Sequence, residues 1–136
     1  MKKVRMTCTT RARAPFAALA LLLGLLAGCD SGPEGPGFLT ARIDGPTPLG
    51  AAVIEVTGAG VTGFEGAQTT HVIPREKGVG VHRVVLIGEA AGDLIFQIGV
   101  QDVRATPPVA TVLSAADGQN QPLGSVQAFR VQIARP

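Results

Sequence analysis

Two histidines, His71 and His82, are the side chains of this 136-residue chain best suited to hold a metal ion or to act as a general base. A carboxylate such as Glu55 could complete a metal site with them, because imidazole nitrogens and carboxylate oxygens are common zinc ligands. The histidines are not spaced like a known ligand pair, which on a helix would be four residues apart. The sequence therefore favours the interpretation that His71 and His82 are half-exposed strand residues. A metal-dependent enzyme or accessory factor that uses His71, His82 and Glu55 is the alternative.

The run Gly58-Ala59-Gly60-Val61-Thr62-Gly63 matches the G-x-G-x-x-G fingerprint of dinucleotide-binding proteins. That fingerprint holds a pyrophosphate only where a helix opens at the third glycine, since the helix N-terminus binds the phosphates. Gly66 and Pro74 oppose such a helix, so the run predicts a glycine-rich turn between two strands. Ser114 and Ser125 lack the G-x-S-x-G turn of hydrolases. The sequence thus predicts no cofactor and no catalytic residue.

Cys29 is the cysteine whose neighbouring sequence indicates a covalent modification. Residues 1–14 carry five basic and no acidic residues, and residues 15–26 are almost wholly apolar. An apolar run of this length fits a cleaved signal peptide, because a membrane-spanning helix needs about 20 apolar residues. The small residues Ala27 and Gly28 directly precede Cys29, and residues 30–37 are rich in glycine and proline.

The run Leu26-Ala27-Gly28-Cys29 resembles the lipobox of bacterial lipoproteins. The resemblance implies a signal peptide with a signal helix at residues 1–28, cleavage between Gly28 and Cys29, and a diacylglyceryl group on Cys29. The expected location is therefore the bacterial cell membrane, with the lipid as anchor. Asp30 resembles the inner-membrane retention signal of enteric bacteria, although inner and outer membrane both stay open. An ordinary secretory signal with a cysteine near its cleavage site is the alternative.

Removal of residues 1–28 reverses the charge of the chain. The full chain has a formal net charge of +2, whereas residues 29–136 contain seven basic and ten acidic residues, a net charge of −3. This balance, together with the lack of Tyr and Trp for stacking on bases, excludes nucleic acid as the expected partner. Cys29 would be lipidated, so we expect no disulfide, and the stability must come from an apolar core.

The elements that must position these residues are β-strands. Residues 29–37 predict a solvated tether, and residues 38–136 predict one domain. Seven alternating or β-branched runs, separated by Gly, Pro and Asn/Asp clusters, predict its strands. They cover residues 38–43, 51–57, 69–73, 79–87, 93–100, 109–113 and 125–134. Seven short strands in about 100 residues predict an all-β, antiparallel immunoglobulin-like β-sandwich.

The size and strand rhythm of this domain are similar to those of cohesin-like and carbohydrate-binding sandwiches of exported bacterial proteins. The similarity is architectural, because the buried Trp and the Cys pair of antibody domains are absent. We expect a non-enzymatic binding or structural role at the cell envelope, with another envelope protein docking on a sheet face or edge. A carbohydrate-binding module is the alternative and requires an exposed Phe38 or Phe64. Phe38, Phe64, Phe96 and Phe129 are all expected in the core, with Phe64 the one to test because it sits in a glycine-flanked loop. The sequence leaves the oligomeric state open.

Overall fold

Eight β-strands build residues 35–136, the part of the chain that the computed structural model describes. The strands are β1 (Gly37–Asp44), β2 (Leu49–Thr57), β3 (Val61–Gly66), β4 (Thr70–Gly78), β5 (Val81–Gly92), β6 (Ile95–Val100), β7 (Val109–Asp117) and β8 (Arg130–Ala134). They form two antiparallel four-stranded sheets, sheet A in the order β3-β6-β1-β8 and sheet B in the order β4-β5-β2-β7. The predicted all-β, antiparallel immunoglobulin-like sandwich is confirmed, with eight strands in place of about seven. The predicted signal helix lies outside the described residues.

The alternation of apolar and polar residues turns one side of each strand toward the space between the sheets. It is clearest in β6, where Phe96 and Ile98 are fully buried on either side of the half-buried Gln97. The largest fully buried side chains come from both sheets: Phe96, Leu39, Ile54, Leu86, Leu94, Ile98, Val56 and Val84. Burial of such side chains from water is the main favourable term in folding, and residues 35–136 contain no cysteine that could add a disulfide.

The prediction that all four phenylalanines of the domain lie in the core is correct only in part. Phe96 and Phe129 are buried, and Phe64 is half-buried and packs against the core. Phe38 is 44% exposed, so its predicted place in the core is wrong. The reason is strand parity: Leu39 of the same strand is buried, and neighbouring residues of a strand point to opposite faces.

The eighth strand, β3, lies in residues that we predicted to form a glycine-rich turn or loop. The turn is confined to residues 59–60, where Gly60 has a φ of +78°, and strand pairing with β6 begins at Val61. Glycine weakens strand propensity, which hid this strand in the sequence. Pairing with β6 and the packing of Phe64 on the core outweigh that weakness.

Other strand boundaries also differ from the predicted ones. β4 continues through Pro74 to Gly78, although the sequence predicts a strand that ends before the proline. β4 is an edge strand, and edge positions tolerate proline because an N–H on the open side has no neighbouring strand to pair with. β5 begins at Val81 and β8 at Arg130, each later than predicted.

The corner between β3 and β4 gives a first prediction. A Cβ added at Gly66 would overlap the backbone oxygen of Thr70, whereas one added at Gly63 of the same strand would meet nothing within 4 Å. We expect Gly66→Ala to destabilise the domain by about 1–3 kcal/mol, because the backbone must shift to accept the methyl group. Gly63→Ala is the matched control and should leave the urea unfolding midpoint nearly unchanged. Equal midpoints for the two variants would contradict the tight corner.

One end of the sandwich holds the first described residues, and we call it the tether end. It consists of residues 35–36, the turns at 59–60 and 79–80, and the loop 101–108. Gly35 is fixed there, since its carbonyl accepts a hydrogen bond from Val103 N at 3.0 Å and its N–H donates to Asp102 Oδ1 at 3.4 Å. β1 then begins at Gly37. Residues 29–34 of the predicted tether lie outside the described residues.

Candidate functional site

The three residues of the candidate metal site all lie in sheet B, but on opposite faces of it. His71 and Glu55 face outward, where His71 Nε2 is 3.3 Å from Glu89 Oε1 and Glu55 Oε2 is 3.3 Å from the Arg83 guanidinium. His82 has the strand parity of the buried side chains of β5 and is half-buried. Residues 35–136 contain no group of three His, Cys, Asp or Glu side chains that could hold a metal ion. The structure therefore does not bring His71, His82 and Glu55 together.

The first two glycines of the run Gly58–Gly63 form backbone hydrogen bonds with other loops of the tether end. Gly58 N donates a hydrogen bond to the carbonyl of Gly80 at 2.9 Å, and the carbonyl of Gly60 accepts one from Gln101 N at 2.8 Å. Strand β3 follows directly, and no helix occurs between residues 35 and 136. A phosphate would find the Gly58 N–H already engaged and no helix N-terminus of the kind that the fingerprint requires.

The outer face of sheet A is polar except at Phe38 and the half-buried Ile95. Thr40 of β1 pairs with Gln97 of β6, and Arg42 of β1 pairs with Gln132 of β8. Arg42 Nε donates to Asp44 Oδ1 at 2.5 Å. This hydrogen bond, with the negative charges of Asp44 and Asp93, raises the pKa of Arg42 above its ordinary value. Such a face stays hydrated.

The two phenylalanines of the carbohydrate alternative differ in position. Phe38 lies on the outer face of sheet A, with its ring edge near Gly99 of the adjacent strand. Phe64 points between the sheets, where its ring meets His82 edge-on with centroids 5.3 Å apart. Of the two, Phe38 is the one that could stack on a sugar ring.

The centre of the outer face of sheet B is apolar. The strand register places Ile73, Val85 and Val53 in one row across three strands. Ile87 and Ala51 are opposite each other in the next row of the same outer face. Ile73 is 57% exposed and Ile87 is 40% exposed. We call the following set the apolar face: Ala51, Val53, Ile73, Val85, Ile87 and Leu113.

A β-bulge extends the apolar face onto β7. Val53 pairs with Ser114 while the next residue of β2 pairs with Val112, so Leu113 is the extra residue of the bulge. Leu113 is consequently 42% exposed in the outer layer beside Ser114. A shallow depression of about 220 Å³ lies next to it. Its lining consists of Ala51, Ala52, Val53, Val85, Ser114, Ala115, Ala116 and Pro122.

Charged side chains border the apolar face. On one side of the apolar face, His71 pairs with Ile87 and contacts Glu89. On the opposite side, Glu55 pairs with Arg83, two residues beyond the pair of Val53 and Val85. An apolar centre with a polar, hydrated rim is the usual anatomy of a protein interface. One signal for this face is present in the sequence: the unbroken run from Val84 to Ile87 is apolar on both sides of its strand, a pattern that simple alternation does not reveal.

The four edge strands are protected against pairing with another strand. β4 contains Pro74 and the exposed Lys77, and β7 is interrupted by the bulge at Leu113. The register of β3 shifts between Val61 and Gly63, and β8 is only five residues long. Proline, charge, bulges and short length are the devices by which sheets avoid edge-to-edge association. Docking is therefore easier to accommodate on the apolar face than at an edge.

The predicted lipidation site Cys29, and the cleavage site between Gly28 and Cys29, lie outside the described residues. Within residues 35–136, no helix is both long and apolar enough to cross a bilayer. The chain matches no protein-family model, no curated protein and no solved structure.

Proposed function

We propose that this protein is a lipid-anchored lipoprotein of the bacterial cell envelope whose β-sandwich binds another envelope protein through the apolar face, without catalysis. The basic N-terminus, the apolar stretch and the run Leu26-Ala27-Gly28-Cys29 support the anchor on Cys29. Asp30 favours the inner membrane. The binding role depends on one observation: the outer face of sheet B is apolar at its centre, while that of sheet A is polar apart from Phe38 and Ile95.

The apolar face supports binding because its exposure to water is unfavourable. Each square ångström of apolar surface removed from water contributes about 25 cal/mol. Soluble monomers seldom expose contiguous apolar patches larger than a few hundred Å² without a binding role. The contact of His71 with Glu89 and the ion pair of Glu55 with Arg83 would form the hydrated rim of the interface. They are exposed, so they would contribute to specificity more than to affinity.

A charge placed on the apolar face should weaken the partner's binding. Ile73 is exposed on an edge strand, so Ile73→Lys should fold normally while presenting an ammonium group to an apolar partner surface. We expect binding to weaken about 10-fold or more, which corresponds to about 1.4 kcal/mol. The measurement is photo-cross-linking in cells from a reactive residue in place of Ile87, with and without Ile73→Lys.

Thr40→Lys, on the outer face of sheet A, is the matched control and should leave the adduct unchanged. A reactive residue in place of Thr40 should give no adduct. Adducts of equal yield from positions 40 and 87, or an adduct at 87 that survives Ile73→Lys, would refute the apolar face as the docking surface. An adduct containing only a second copy of this chain would replace the envelope partner with a homodimer.

A carbohydrate-binding role is a second candidate because of Phe38. Its ring is exposed on a polar face that also presents Gln97 and Gln132, and aromatic rings with nearby amides suit sugar binding. In this case Phe38→Ala should abolish binding on a glycan array, while Ile73→Lys should not change it. An array without any binding by the unaltered protein removes this candidate.

A further inference from the structure

A fully exposed valine occupies the tip of the β4–β5 hairpin, at the tether end. Val79 is 101% exposed between Gly78 and Gly80, and Gly80 has a φ of +68° that completes the tight turn. Turn positions of this kind usually hold Gly, Asn, Asp, Ser or Pro, each for a local physical reason. A valine gives no such advantage, and a residue that breaks a local rule without a structural gain points to a function.

The hairpin tip is connected to the start of the sandwich through hydrogen bonds across the tether end. Gly58 N donates to the carbonyl of Gly80, and Gln101 N donates to the carbonyl of Gly60. The loop that follows Gln101 in turn holds Gly35. These contacts fix the position of Val79 relative to the point where the tether enters the domain.

The tether is short. The step of six residues from Cys29 to Gly35 can span at most about 20–22 Å. If Cys29 is embedded in a bilayer through its lipid, the tether end must remain within about 20–22 Å of the anchor point, closer than any other part of the sandwich need be. A short linker keeps two attached surfaces at an effective concentration on the order of millimolar, so even a weak contact forms for much of the time.

Charge does not decide the orientation. The end of the sandwich opposite the tether carries four carboxylates and two arginines: Asp44, Glu89, Asp93, Asp117, Arg42 and Arg130. The tether end carries both cations and carboxylates, among them Lys77, Arg104, Glu76 and Asp102. Asp30 and Glu34 of the tether add two negative charges there. Because anionic headgroups would attract neither end strongly, the apolar tip is the decisive contact.

We propose that the tether end lies against the lipid headgroups, with the side chain of Val79 inserted among them, and that this contact sets the orientation of the sandwich on the membrane. The inference rests on the proposed lipid anchor. In this orientation the strands of sheet B run away from the bilayer surface. The apolar face is then a lateral surface of the domain, accessible to a partner in the same membrane.

The test uses the mature chain, residues 29–136, with Cys29 coupled chemically to a maleimide lipid in phosphatidylglycerol-containing vesicles. The chain has no tryptophan, so Val79→Trp introduces a single fluorescent reporter at the tip. Thr47→Trp, in the exposed loop at the opposite end, is the matched control. Brominated lipids should quench the Val79→Trp variant severalfold more strongly than the Thr47→Trp variant, and only the Val79→Trp variant should show a blue-shifted emission.

Equal quenching of the two variants, or emission of the Val79→Trp variant at the wavelength of water-exposed tryptophan, would overturn the inference. Because tryptophan itself favours the interface, neutron reflectometry of the chain with Val79 intact provides a second measurement. The unaltered domain should lie in contact with the headgroup layer, and Val79→Asp should move it away. Identical profiles would count against the inference. Since the lipid is attached chemically, these outcomes do not depend on whether cells lipidate Cys29, which mass spectrometry of the native protein decides separately.

Discussion

Cys29→Ser is expected to release the protein from the membrane. The proposed anchor is attached through one sulfur atom, and each methylene of the acyl chains that it places in the bilayer contributes about 0.8 kcal/mol. Loss of the thiol removes all of these chains together, or blocks processing of the signal peptide. The measurement is membrane fractionation after a carbonate wash, in parallel with mass spectrometry of the processed chain.

Cys8→Ser is the matched control, because Cys8 lies among the basic residues before the apolar stretch and no lipidation is expected there. This variant should fractionate with membranes as the unaltered protein does. Retention of Cys29→Ser protein on carbonate-washed membranes would contradict the anchor. A processed chain that begins elsewhere, or that carries an unmodified thiol at Cys29, would contradict it as directly.

Phe96→Ala is expected to be the most destabilising single substitution in the sandwich. Phe96 is the largest fully buried side chain, in β6 between the neighbouring strands of sheet A. Truncation leaves a cavity in the core, and Phe→Ala substitutions of this kind cost about 3–5 kcal/mol. Since domains are stable by only about 5–15 kcal/mol, the variant should unfold at much lower urea concentration.

Phe38→Ala is the control for this prediction, because it removes the same ring from an exposed site. Its unfolding midpoint should change little. If both variants lost similar stability, the exposed ring of Phe38 over Gly99 would contribute as much as the buried one, and the assignment of the core to the space between the sheets would be wrong.

The sequence was sufficient to predict the fold class and much of the core, because those follow from local alternation. Phe96 and Ile98 alternate with polar or small residues, and the strand they belong to was predicted almost to its ends. β3 could not be found in this way, since Gly63 and Gly66 weaken its propensity and its stability comes from pairing with β6. Tertiary contacts of this kind leave no local trace.

Two features of the β4–β5 hairpin separate the two histidines. In either register His71 lies opposite a residue at least five positions from His82, which at about 3.3 Å per residue is more than about 15 Å, and one irregularity also places them on opposite faces. Gly78 pairs with Val81, and a regular ladder from there would put His71 and His82 on the same face. The register shifts between Glu76 and Gly78, so His71 pairs with Ile87 and points outward while His82 points inward. The sequence does not specify such a bulge. The apolar face depends in the same way on the register across sheet B and on the bulge at Leu113.

The protection of the strand edges has a consequence for a protein held on a surface. The proposed lipid attachment would confine the copies to a plane, where they would collide more often than when dispersed in solution. Under such crowding, an unguarded strand could recruit the next copy and polymerise into a growing fibre. Pro74 and Lys77 on one edge, and the bulge at Leu113 on another, would keep neighbouring copies as separate, freely diffusing units.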